Sequence, residues 1–136
     1  MADNKLTDKI AVVTGGARGI GGEIAVAFAQ AGADVVVADR LDESVAAPVL
    51  SAIKRAGRRS LFVRTDVSDA QQVQDMVAAA HAEFGRIDIL VNNAGTVSQV
   101  KFDELEVAEF DRVISVNLRG VFLGCRFVLP EMLQRG

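Results

Sequence analysis

The chain predicts an α/β fold: a doubly wound parallel sheet of four strands in the order 3-2-1-4. Two features predict it. Short apolar runs alternate with longer segments whose apolar residues recur at helical spacing, which is the pattern of strands joined by helices and of a parallel sheet covered on both faces. The unusual polar stretches, residues 15–21, Asp39, Asp66 and residues 92–95, each follow an apolar run, so they gather at the carboxyl ends of the strands. Right-handed crossovers leave few arrangements, and in the order 3-2-1-4 the winding reverses between the first and fourth strands, a switch point beside which ligands bind.

The first element is the apolar run 10–13. It meets a glycine-dense turn, 14–22, that opens into a helix whose apolar face carries Ile20, Ile24, Phe28 and Ala31. The turn reads Gly15-x-x-x-Gly19-x-Gly21. Glycine lets backbone adopt positive φ and come close to another group, and a helix N-terminus offers free N–H groups with partial positive charge. Strand, turn and helix thus predict a site for the pyrophosphate of a dinucleotide. A turn that only packs helix on strand would need the same glycines.

The second strand, 33–38, ends in Asp39, near the offset from the glycine turn at which an acidic residue meets the adenosine ribose. Its carboxylate accepts from both ribose hydroxyls and repels a 2′-phosphate, so Asp39 favours NAD over NADP. Arg18 and Arg40 stand against this: either pairs with a 2′-phosphate if turned inward, or lies on the surface.

A helix over about 42–56 follows, with a late start or a kink expected at Pro48 and an end at Gly57. Ser60–Arg64 is the third strand, and Thr65, Asp66 and Val67 form a polar turn at its end. Ser68 with Gln71 reads as a capping box for a helix with Val73, Met76, Val77, Ala80 and Phe84 on one face and Gly85 as its stop. The fourth strand, 87–91, leads into Asn92, Asn93, Ala94 and Gly95. A loop over 96–105 precedes a long helix from about 106 towards 134, kinked near Pro130, with Gly136 just past its end. Repeats, low-complexity segments and linkers are absent, so residues 1–136 read as one domain.

Half the residues are hydrophobic, enough for one real core. A net charge of −3 provides no basic field for nucleic acid or an anionic membrane. The single Cys125 rules out an internal disulfide and fits a reducing compartment; it reads as a small core residue. The N-terminal nine residues hold no apolar signal core, and no apolar run approaches membrane-spanning length, which together predict a soluble cytoplasmic protein. His81 lies near an apolar helix face, where a partly buried structural role is expected. Asn117 interrupts the stripe Val113, Asn117, Val121, and a buried amide there needs partners, either backbone or water.

Together these residues resemble the short-chain dehydrogenases/reductases, Rossmann-like oxidoreductases that move a hydride between NAD(P) and an alcohol or carbonyl group. The matching pieces are residues 14–21, Asp39, Asp66 with Val67, residues 92–95, and Asn117 within VISVNLRGVFL, in family order over nearly the whole chain. The resemblance implies cofactor contacts from Gly15, Arg18, Gly19, Ile20, Gly21 and Asp39. It further implies that Asp66 and Val67 touch the adenine and that Asn93, Ala94 and Gly95 line the cofactor beyond the pyrophosphate. Asn117 would hold a water in a proton relay and support a catalytic lysine.

The family's general acid/base is the tyrosine of a Tyr-x-x-x-Lys pair, and this chain has no tyrosine. By resemblance the domain is therefore truncated after its fourth strand, which would leave an unpaired edge that favours aggregation or a partner, and it should not turn over an alcohol or carbonyl substrate alone. The last helix is apolar nearly all round, which suits a homo-oligomer or missing neighbours. Two other readings stand beside a cofactor-binding part: a non-catalytic dinucleotide-binding or dimerising module, and an α/β domain for another phosphate-bearing ligand.

Overall fold

Val12 and Val36 point to one side of the sheet and Val13, Val35 and Val37 to the other, all fully buried, because successive side chains of a strand alternate between faces. Burial on both faces is what makes these strands read as unbroken apolar runs. The computed structural model describes residues 4–136; residues 1–3 of the N-terminal stretch lie outside the described residues. Strands β1 (Ile10–Thr14), β2 (Asp34–Asp39), β3 (Ser60–Arg64) and β4 (Ile89–Val91) form one parallel sheet in the order β3-β2-β1-β4. This is the predicted doubly wound, Rossmann-like order.

Helices α1 (Gly19–Gln30) and α2 (Glu43–Arg55) cover one face, with Ala25, Ala29, Ala46 and Ile53 in its core. The other face is covered by α3 (Ala70–Phe84) and α5 (Gly120–Arg135), with Val73, Met76, Ala80, Leu123 and Val128. Each fully buried valine, leucine or isoleucine contributes about 1.5–3 kcal/mol of transfer free energy. The mouth between β1 and β4 therefore sits on a sheet clamped from both sides.

Several elements differ from the sequence reading. Ile20 is 76% exposed, and the buried face of α1 is Gly21, Gly22, Ala25 and Ala29, with Ile24 and Phe28 at its flank. Small residues let α1 lie close to the sheet, where the larger stripe would have held it off. Helix α2 starts at Glu43 despite Pro48, because the Asp42 carboxylate accepts from the Ser44 amide and Ala46 and Ile53 anchor both sides of the proline in the core. The cap of α3 is Asp69, not Ser68. Asp69 accepts from the Gln72 amide, while Ser68 turns back to donate its hydroxyl to Asp66. Strand β4 begins two residues later than expected, although Ile87 is buried and the Asp88 amide donates to Ile10.

The loop 96–105 contains a short 3₁₀ turn, Phe102–Glu104. The last helix is broken by its hydrogen bonding before Pro130: α4 (Val107–Ile114) passes through a π turn, Ser115–Arg119, into α5. Val107, Phe110, Ile114, Leu118, Phe122, Leu129 and Leu133 are exposed along it, and Val107–Arg135 is by length and composition long and apolar enough to cross a membrane, contrary to the sequence expectation. Cys125 is exposed rather than in the core, since Leu123, Gly124 and Val128 take the inward positions. His81 is half-exposed and faces Glu131 of α5.

At the amino end of the sheet, Asp88 accepts from the Ile10 amide and is gripped by the Arg86 guanidinium. Burial pushes its carboxyl up, but Arg86, the Ile10 amide and Arg135 outweigh that and hold it below the usual carboxylate range.

Candidate functional site

The carboxyl ends of β1 and β4 are stitched together by Thr14 and Asn93. The Thr14 Oγ1 accepts from the amides of Asn93 and Ala94, both at 3.0 Å, and donates to the Val91 carbonyl at 3.3 Å. Asn93 returns the contact, its Nδ2 donating to the carbonyls of Thr14 at 3.1 Å and Gly15 at 3.2 Å. Its side chain therefore lies against the glycine turn. Two glycines there are dictated by geometry. Gly19 has φ of +59° with open space where a Cβ would project, and at Gly21 a Cβ would overlap the Gly15 carbonyl oxygen and Asn93 Nδ2.

Asp39 closes the other side of the turn. It is 9% exposed, and its carboxylate accepts from the amides of Ala17 and Leu41, each at 3.1 Å. The sequence reading expected this carboxylate to be ready for a ribose. It already braces the glycine turn, and it keeps further lone pairs, because a carboxylate offers about four acceptor sites. Asp66 Oδ1 accepts from the Ser68 amide and hydroxyl, and its own amide donates to Gln72 Oε1.

These stretches border one cleft of about 520 Å³. Gly15, Arg18, Gly19, Asp39, Asp66, Val67, Asn93, Ala94 and Gly95 line it, so the structure brings together all the predicted cofactor residues except Ile20 and Gly21. Gly21 acts one layer behind the surface, against Gly15 and Asn93. Ile20 projects to solvent. Arg18 and Arg40 are exposed residues at the rim.

Asn117 is exposed and does not line the cleft, which corrects its reading as a buried interruption of an apolar stripe. Both ends of its amide bind Thr96: Nδ2 donates to the Thr96 carbonyl and Oδ1 accepts from the Thr96 amide, each at 2.8 Å. Backbone, one of the two kinds of partner weighed for it, thus meets both ends of the amide. Asn117 sits in the π turn, and Ser115 and Val116 of the same turn reach the cleft together with Arg112 of α4 and Thr96. Sequence reasoning missed Arg112, Ser115 and Val116, although Arg112 and Val116 share a helix face at four-residue spacing beside Asn117. Glu109 is held down to about 2 by hydrogen bonds from Arg112 and then Ser98, and the Arg112 guanidinium is raised in turn by Glu109.

Order, winding and cleft define a Rossmann-like α/β fold with its cleft at the switch point of the sheet. Comparison with known proteins narrows this. The profile of the short chain dehydrogenase family matches residues 9–136, and the chain belongs to that family. It is 38% identical over 133 residues to 2,5-dichloro-2,5-cyclohexadiene-1,4-diol dehydrogenase LinX of Sphingobium indicum, covering 98% of this chain and 53% of the relative. It is 41% identical to D-threitol dehydrogenase of Mycolicibacterium smegmatis, covering 98% and 51%. Among solved structures, a short-chain type dehydrogenase/reductase from Mycobacterium marinum superposes with a TM-score of 0.92 at 36% identity, over 98% of this chain and 53% of the other. Carveol dehydrogenase from Mycobacterium avium, in complex with NAD, superposes with 0.90 at 27% identity, over 97% and 52%. The chain thus spans about half the length of the relatives it matches.

Proposed function

We propose that this chain is the nicotinamide-dinucleotide-binding part of a short-chain dehydrogenase/reductase, with NAD preferred over NADP. The observation that carries it is the convergence of the glycine turn, Asp39 and Asn93, Ala94 and Gly95 on one cleft at the switch point of the sheet. The residues fit such a group. Bare backbone at Gly15 and Gly19 opens onto the N-terminus of α1 and suits a pyrophosphate, and the remaining lone pairs of Asp39 suit ribose hydroxyls. Asp66 and Val67 would flank the adenine, and Asn93, Ala94 and Gly95 the other end. The bound nicotinamide supplies hydride chemistry, and in the complete enzyme its counterpart is an alcohol or carbonyl substrate.

Asn117 positions Thr96 in this reading. Each end of its amide keeps one further hydrogen-bonding capacity, available to a relayed water. With no tyrosine, the 136 residues bind cofactor without turning substrate over. We place the protein in the cytoplasm, as its single cysteine suits. The exposed apolar residues of Val107–Arg135 are read as a protein contact, including a homo-oligomer, rather than a membrane span, because Arg112, Arg119, Arg126 and Glu131 are spread along it.

The test is titration of the purified chain with NADH and then NADPH, followed by nicotinamide fluorescence and calorimetry. Saturable NADH binding, tighter than NADPH and weakened at least about tenfold by Asp39→Ala, is expected. Equal affinity for both would remove the NAD preference, and no binding of either would favour another phosphate-bearing ligand.

A further inference from the structure

Helix α4 buries none of its residues, yet it forms part of the cleft wall. Its hold on the cleft comes from its continuity with α5 through the π turn and from polar contacts. The polar contacts from α4 and the π turn to residues 96–98 are dense. Arg112 donates from Nη1 to Thr96 Oγ1 at 3.0 Å and from Nη2 to the Val97 carbonyl at 3.2 Å, while Asn117 holds both backbone groups of Thr96. The same guanidinium is gripped from behind by Glu109, with Nε on Oε2 and Nη2 on Oε1, both at 2.8 Å. A planar fork with five N–H donors makes these contacts at once; an ammonium does not.

We infer that Arg112 is a positioning residue of the cleft. Oriented by Glu109, it latches Thr96 and Val97 to α4, so that the wall continuing from Asn93, Ala94 and Gly95 is set before a cofactor arrives. The inference rests on the proposed cofactor reading and extends it to the preorganisation of the same site: the latch decides how ordered the wall is, and hence how much ordering each binding event must supply. Glu109, held near 2, stays ionised at neutral pH and a guanidinium stays protonated, so the latch remains charged throughout the physiological range.

The experiment compares wild type, Arg112→Ala and Arg112→Lys as full chains by amide hydrogen exchange and NADH titration, after circular dichroism confirms native helix content. Arg112→Ala is expected to raise exchange in 96–105 while β1 and β2 are unchanged, and to weaken NADH about tenfold. Arg112→Lys should behave like Arg112→Ala, and low millimolar guanidinium should restore the alanine variant without affecting wild type. Unchanged exchange and affinity in Arg112→Ala would overturn the inference, and so would a lysine variant indistinguishable from wild type. If wild type itself fails to bind NADH, the cofactor reading falls, and the exchange comparison alone supports or overturns the latch.

Discussion

On one side of the cleft, Asp39 is almost fully buried and its carboxylate holds backbone amides of Ala17 and Leu41. On the other side, Arg112 and Asn117 are both exposed and hold Thr96 and Val97. The first wall rests on central strands packed on both faces, the second on a helix with no buried residue. A hydrogen bond lost in the first wall strands a donor away from water, whereas one lost in the second is replaced by solvent. The two walls should therefore differ in what they contribute: the buried one stability, the exposed one order.

The severest test of the first wall is Gly21→Val. A side chain there must displace the Gly15 carbonyl and Asn93, so we expect cofactor binding to disappear and stability to fall by ~3 kcal/mol in urea denaturation. Wild-type affinity in that variant would mean that the turn is looser than its packing. Thr14→Val keeps shape but removes the acceptor of the Asn93 and Ala94 amides. It should cost about 2 kcal/mol and loosen the junction of β1 with β4, measured by the same denaturation. On the second wall, Asn117→Ala should lower stability by no more than ~1 kcal/mol, because water reaches Thr96, while exchange at the Thr96 amide rises sharply. A loss as large as that of Thr14→Val would erase the distinction between the walls.

The smallest effect is electrostatic. The carboxyl of Glu109 is lowered from 4.5 to about 2 in the folded chain, so its contribution is present above the unfolded value and fades as pH falls from about 4.5 towards 2. Urea midpoints measured across that window should fall less in Glu109→Gln than in wild type. An identical pH dependence would show that the Glu109–Arg112 pair adds nothing to stability.

The same division explains what could be read from the sequence. Strand order and the cleft residues around the glycine turn were legible because valine runs buried on both faces leave a continuous apolar signal, and because a glycine that tolerates no Cβ leaves a fixed spacing. Asp39 was legible by position, but its hold on Ala17 was not, since a backbone amide carries no residue identity. The second wall was nearly silent. Arg112 and Thr96 meet across sixteen positions through side chains that look like ordinary surface residues, and Asn117 was placed in a buried stripe that the structure leaves open. The sequence pattern also put the interruption of the last helix at Pro130, where a missing donor is visible, rather than at Ser115–Arg119, whose wider turn has no residue signature.

That wider turn acts as an inserted residue in the helical count. One residue advances an α-helix by about 100°, so the turn rephases everything after it. Leu123 and Val128 face the sheet after it, while Phe110 and Ile114 ahead of it remain outward. Deleting one residue from Ser115–Arg119 would turn α4 and α5 by about 100° relative to each other, so the packing of Leu123 and Val128 on the sheet and the hold of Arg112 on Thr96 would no longer coexist. The segment that carries Asn117 is thus a phase shifter as well as a cleft wall, and it should tolerate substitutions far better than a change in length.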